Sequence, residues 1–369
     1  MKKRVNRREF IGQMALGAAG ILASGCAASS ALTLKDTATP MPTPKPVAQA
    51  SPTPSPMLAE LGDVQLESGQ VLKDTRVGYM TKGTLNADAS NAVVVFTALT
   101  RTSPLIMGRE GKWVDDSKYH IIVVDALGNG VSSSPSNSKQ QPGAQFPAFA
   151  VRDIVNIHHR FLTEVLKLPK VYAVLGDSFG GIQAFQWAAS YPDYMRKAIS
   201  VQGTPRSTAW DWLVWKPLVD LVTMSRTLPN DGRALVQSAL AGVFATIGYS
   251  PGYHLHNTKS EQAPQVFAAM QQFANSFDWE NFVSQARALA EHDIYKEFGG
   301  SAEAAAEKIK TDMLVIVAAT DHLVQPEPSQ ELAKLLNAKL ITITNDTGHL
   351  GLLAKEGETI QQAVRSFLG

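Results

Sequence analysis

Runs of five or six residues rich in Val and Ile recur along the chain, at residues 77–81, 92–97, 120–125, 171–175, 197–201, 313–318 and 339–344. Such short, almost unbroken apolar runs predict strands buried on both faces, as in a parallel sheet. Between them, at 150–166, 180–190, 329–336 and 351–367, the apolar positions fall at the three-to-four-residue spacing of amphipathic helices. Strand and helix patterns in alternation predict an α/β fold, a mostly parallel sheet covered by helices on both faces. From 204 to 300 the strand rhythm stops, and the chain is helical with several tryptophans and with Pro and Gly breaks. The rhythm then resumes. This predicts a helical cap (204–300) inserted into a core made of 58–203 and 301–369.

Composition changes the picture mainly by exclusion. The 369 residues are 44% hydrophobic and 18% charged, with a formal net charge of +1, which excludes wholesale disorder. There is no basic footprint for nucleic acid and no run of about 20 apolar residues to span a membrane. The single cysteine, Cys26, excludes an intrachain disulfide and any cysteine-built zinc site. No pair of histidines has convincing metal spacing either, so no metal and no cofactor is expected.

The first 57 residues have a pattern of their own. Lys2-Lys3-Arg4 and Arg7-Arg8 precede an apolar run from Ile11 to Ala23, which is followed at once by Ser24-Gly25-Cys26. This order resembles a twin-arginine export signal over 1–25 that ends in a lipoprotein cleavage box, with Cys26 as the lipidated residue and Ala23 where Leu is commonest. Alternate prolines in residues 37–57 then predict an extended tether over 26–57, holding a folded domain off a membrane surface. The expected location is therefore outside the cytoplasm, at a bacterial membrane facing periplasm or exterior.

The chemistry is concentrated after the run at 171–175. There the chain reads Gly176-Asp177-Ser178-Phe179-Gly180-Gly181 and passes into a helical pattern. A serine on a sharp strand-to-helix turn projects its hydroxyl out of the sheet, and the flanking glycines leave room for that turn. The helix N-terminus behind it favours developing negative charge. Ser178 is the expected nucleophile and the Phe179 amide an expected oxyanion donor. A serine hydroxyl needs a base and an orienting carboxylate. Asp321 and His349 follow the next two strand runs in the expected order; His322 is the rival base and Asp346 the rival acid. The second oxyanion donor is expected in the loop Ala98-Leu99-Thr100-Arg101, with the Leu99 amide preferred and Ala98 and Thr100 left open. Asp125, at a strand end, reads as a loop organiser.

Together these segments resemble the homoserine O-acetyltransferase-like branch of the α/β-hydrolase superfamily. The resemblance runs from about Gln65 to the C-terminus and rests on several segments beyond the elbow. They include Leu66-Glu67-Ser68-Gly69, Thr97-Ala98-Leu99-Thr100, Gln145-Phe146-Pro147 with Val151-Arg152-Asp153, Tyr191-Pro192-Asp193, and Asp278, Asn281 and His292-Asp293. It implies an α/β-hydrolase fold and acyl transfer through Ser178. Three positions depart from the transferase pattern. Leu350 follows His349 where the family has an aspartate facing the substrate amine, Arg101 replaces a glycine, and Trp210-Asp211-Trp212-Leu213-Val214-Trp215 stands in place of a substrate-carboxylate arginine segment. An exported enzyme meets water at ~55 M, so the leading expectation is a serine esterase acting on a small-molecule ester. An acyltransferase and a catalytically silent binding protein are the alternatives. The tryptophans and leucines of the cap are expected either to line an apolar substrate site or to pack the cap.

Overall fold

The computed structural model describes residues 55–369; the export signal, Cys26 and most of the tether lie outside the described residues. Eight strands form one sheet in the order β1-β2-β4-β3-β5-β6-β7-β8. They are β1 Met57–Gln65, β2 Val71–Lys82, β3 Ala92–Phe96, β4 His120–Val124, β5 Val171–Asp177, β6 Met195–Val201, β7 Asp312–Ala318 and β8 Lys339–Ile343. From β4 through β8 every pairing is parallel, whereas β1 and β2 form an antiparallel hairpin and β2 meets β4 antiparallel.

The central strands match the apolar runs, because β3 is wholly buried and β5 nearly so. The hairpin is where sequence and structure differ. β1 is mostly exposed and its register slips near Gly62, so no buried run announces it. The segment Leu66-Glu67-Ser68-Gly69 is its turn, closed by Leu66 N to Gln70 O at 2.8 Å, with Gly69 at φ +80°.

The core helices are α1 Ser103–Gly108, α2 Val151–Arg160, α3 Phe179–Ser190, α9 Ala302–Lys308, α10 Glu327–Leu335 and α11 Gly348–Leu368, the numbers α4–α8 belonging to the helices between β6 and α9. The helix expected over 150–166 is not uniform. After Arg160 it widens into a π-turn over Phe161–Val165, where Leu166 N bonds Phe161 O five residues back at 3.1 Å. Thr163 Oγ1 occupies the His159 carbonyl at 2.8 Å, and the wider turn buries the adjacent Phe161 and Leu162 together.

Between β6 and β7 come α4 Ala209–Ser225, α5 Arg233–Thr246, α6 Pro251–Asn257, α7 Ala263–Ala274 and α8 Trp279–Ala290. Phe244, Phe273, Phe277 and Phe282 cluster among them, with Phe244 and Phe273 edge to face at 5.1 Å. These helices lie over the C-terminal ends of the parallel strands, where open α/β sheets place their sites.

Candidate active site

β5 and α3 meet at Ser178, whose backbone has φ +55° and ψ −119°. A Cβ at Gly180 would stand 2.6 Å from the Phe96 carbonyl, and one at Gly176 would overlap Gly180 itself. Only glycine lets the helix start this close to β3 and β5. The strained turn leaves Ser178 half-buried, with its side chain above the strand ends.

Three side chains from distant parts of the chain meet there. His349 Nε2 is 2.8 Å from Ser178 Oγ, and His349 Nδ1 is 2.6 Å from Asp321 Oδ2. Asp321, in the loop after β7, also accepts from the Leu323 and Val324 amides, both at 2.9 Å, which orients its carboxylate as an acceptor toward His349. The Nδ1 atom must then carry the proton, leaving Nε2 to accept from the Ser178 hydroxyl. Burial pushes the His349 pKa down, but the Asp321 charge and hydrogen bond outweigh it and hold the imidazole above its ordinary value.

The rival groups are elsewhere. Trp210 Nε1 donates to the His322 carbonyl at 2.7 Å, and the two rings are 6.4 Å apart. Asp346 pairs with His256 at 3.0 Å and lies 3.7 Å from Lys355. His158 is buried with Nε2 3.1 Å from the Asp125 carbonyl, and burial pushes its pKa down to about 4. Among the described residues no group of His, Cys, Asp and Glu could hold a metal ion.

In the loop after β3, the Thr100 amide donates to Gln285 Oε1 at 2.7 Å and the Arg101 amide to the Ala98 carbonyl at 3.0 Å. This removes Thr100 from the open oxyanion donors and leaves Leu99 and Ala98. Gln202, at the end of β6 with φ +51°, was not singled out by sequence. Its Nε2 donates to the His349 carbonyl at 3.0 Å and lies 3.4 Å from Asp321 Oδ2, so it ties the base loop to the acid. Nothing in a single Gln codon position signals such a role.

A cavity of about 90 Å³ opens on Ser178 and His349. Its apolar wall comes from Trp215, Phe244, Phe273, Phe277 and Phe282 of the cap, with Leu289, Leu323 and Leu350. The expectation that cap tryptophans line an apolar site holds only for Trp215. Trp210 and Trp212 are 45% and 46% exposed, and the phenylalanines do most of the lining.

The opposite wall is charged. Asp177, the residue before the nucleophile, is buried with Oδ2 3.4 Å from Arg109 Nη2, and Arg109 is also paired with the fully buried Glu110. Burial first, then the Glu110 charge, push the Asp177 pKa up from 3.8 to about 7 against the pull of Arg109 and His349. Folding therefore favours the protonated carboxyl. The resulting stability is fully present below about pH 4 and is lost as the pH rises through 7. Asp177→Asn should accordingly raise the melting temperature more at pH 8 than at pH 5, by ~3 °C or more, in thermal unfolding followed at both pH values. An equal shift at the two would remove the assigned ionisation.

Residues 91–356 match the family described as alpha/beta hydrolase fold. The chain is 29% identical over 322 residues to an ethyl acetate hydrolase of Pseudomonas veronii, covering 83% of this chain and 92% of that protein. It is 27% identical over 351 residues to a homoserine O-acetyltransferase of Geotalea daltonii, covering 83% and 95%. Among solved structures it is similar to the acetyl esterase MekB, with a TM-score of 0.77 and 27% identity over 86% of this chain and 96% of that one.

Proposed function

This chain belongs to the alpha/beta hydrolase fold family, and from that premise we propose that it is an exported serine esterase that cleaves short carboxylic esters through an acyl-enzyme on Ser178. The observation that carries the reading is the continuous hydrogen-bonded line from Ser178 Oγ through His349 to Asp321 on the floor of a small apolar cavity. His349 takes the Ser178 proton as Oγ attacks the ester carbonyl. The oxyanion that forms is received by the Phe179 amide at the start of α3 and by the Leu99 amide. His349 then returns the proton to the departing alcohol. Water then attacks the acyl carbon while giving a proton to His349, and the acid leaves as the C–Oγ bond breaks and His349 passes that proton to Ser178 Oγ.

Short acyl and alcohol groups are favoured by size. The cavity is about 90 Å³, smaller than the engineered apolar cavity of about 150 Å³ that binds benzene. Hydrolysis is favoured over transfer by Leu350, which lines the cavity beside His349 and offers nothing to hold a substrate amine. The relatives named as an ethyl acetate hydrolase and an acetyl esterase support the same side of the choice.

The test is a series of ethyl esters from acetate to laurate, assayed with and without acyl-coenzyme A and homoserine. Turnover should be highest for the shortest chains and unchanged by either addition. Formation of O-acylhomoserine faster than free acid would overturn the esterase reading in favour of the acyltransferase.

The proposed address is tested separately. Cys26→Ser should leave the enzyme active but release it from membranes, because the proline-rich tether offers no apolar anchor and each buried lipid methylene contributes about 0.8 kcal/mol. Replacing Arg7 and Arg8 by Lys should hold the activity in the cytoplasm. Wild-type activity found wholly in the soluble exported fraction would remove the lipid anchor and leave the export signal standing.

A further inference from the structure

Arg101 is the one departure at the oxyanion loop that the esterase reading does not use. Its backbone is held from three sides: its amide donates to Ala98 O at 3.0 Å, its carbonyl accepts from Asn129 Nδ2 at 2.9 Å, and the preceding Thr100 amide is fixed by Gln285. These bonds fix the backbone from which the side chain leaves. It lines the cavity on Ser178, with its guanidinium carbon 4.8 Å from the centre of the Phe273 ring. Among the described residues no carboxylate lies within salt-bridge distance of it, while its neighbour Arg109 is paired with both Glu110 and Asp177. Burial, and then the Arg109 charge, press against its protonation, opposed by the Glu110 and Asp177 carboxylates. A partly buried guanidinium stacked on an aromatic ring at the cavity on Ser178, with no carboxylate in salt-bridge distance, is better satisfied when an anion completes it.

We propose that Arg101 is a substrate-binding residue, and that the preferred ester carries a carboxylate on one of its two arms, held by the Arg101 guanidinium while the other arm lies among the cap phenylalanines. The proposal rests on the esterase reading and names its substrate class. A carboxylate fits because it is planar and matches the two parallel N–H groups of a guanidinium. A single carboxylate fits because Arg109 is already held by Glu110 and Asp177, whereas the Arg101 guanidinium has no carboxylate within salt-bridge distance among the described residues. The about 90 Å³ available leaves little room for a tetrahedral phosphate with an ester beside it.

The full chain is assayed as wild type, Arg101→Gln and Arg101→Lys with two matched pairs of esters. Ethyl hydrogen succinate against ethyl butyrate places the carboxylate on the acyl arm; 3-acetoxypropanoate against propyl acetate places it on the alcohol arm. In one pair the wild type should prefer the charged ester. Arg101→Gln should lower the ratio of the two kcat/KM values by ~30-fold, mainly through KM, the size expected for loss of one charge-assisted pair, and Arg101→Lys should retain part of it. Calorimetric titration supplies a readout free of turnover and of the variants' folding: butyrate should bind the wild type at least ~10-fold more tightly than butyramide. A ratio unchanged in Arg101→Gln, a wild type that prefers the neutral ester in both pairs, or equal binding of butyrate and butyramide would overturn the proposal. Hydrolysis of the neutral esters by the wild type keeps the esterase reading in each of those cases. Absence of any hydrolysis by a wild type that binds butyrate selectively overturns the esterase reading and leaves the Arg101 site.

Discussion

Ester turnover by Ser178→Ala should fall by ~10⁴- to 10⁶-fold, the loss seen when one member of a Ser-His-Asp set is removed. The melting temperature should stay within ~3 °C of the wild type. The two expectations separate chemistry from fold because of where the side chain sits. Ser178 Oγ meets His349 Nε2 at 2.8 Å, and the residue is only half-buried, so the substitution opens no core cavity. The positive φ of +55° at this position is a strain that serine and alanine bear alike, and the Ser178 amide keeps its bond to Val201 O at 2.8 Å. A fluorophosphonate probe should label the wild type and leave the variant unlabelled. Equal labelling of the two would place the nucleophile elsewhere.

The second large effect concerns the base. His349→Ala should cost as much as loss of the serine, while His322→Ala should change kcat by less than ~5-fold, since His322 faces Trp210 and not the nucleophile. Asp321→Asn should cost ~10⁴-fold, because an amide in place of the carboxylate can turn the imidazole into the wrong tautomer. The pH profile gives a finer reading. Catalysis needs His349 neutral, and burial is outweighed by Asp321, so its pKa stands above the ordinary imidazole value. The acid limb of kcat/KM for the wild type should therefore have its midpoint above ~6.5. The groups facing His349 are Asp321, Asp177 and Arg109, and removing the first of these charges should move the midpoint down. A midpoint that stays in place in Asp321→Asn, or an equal loss in His322→Ala and His349→Ala, would refute the assignment of the base.

The sequence by itself determined the parallel sheet, the helical insertion between β6 and β7, the elbow at Ser178 and the order in which Asp321 and His349 follow. Each of these is local. A strand buried on both faces needs an unbroken apolar run, and an elbow needs glycines within two residues of its serine, so both leave their mark on neighbouring positions. The hairpin strand β1 left none, because only an edge strand can remain mostly exposed. What the tertiary structure decided is everything that depends on where side chains point after long loops close. Ser178 and His349 are 171 residues apart, and Asp321 and His349 are 28 apart, so their order was legible while the choice of His349 over His322 was a matter of direction. Gln202 beneath the base loop, the Arg109, Glu110 and Asp177 wall behind the nucleophile, and the Thr100 amide taken by Gln285 from 185 residues away belong to the same class. So do the cap phenylalanines, which no sequence pattern singled out: only the packing of the cap onto the strand ends placed them around Ser178.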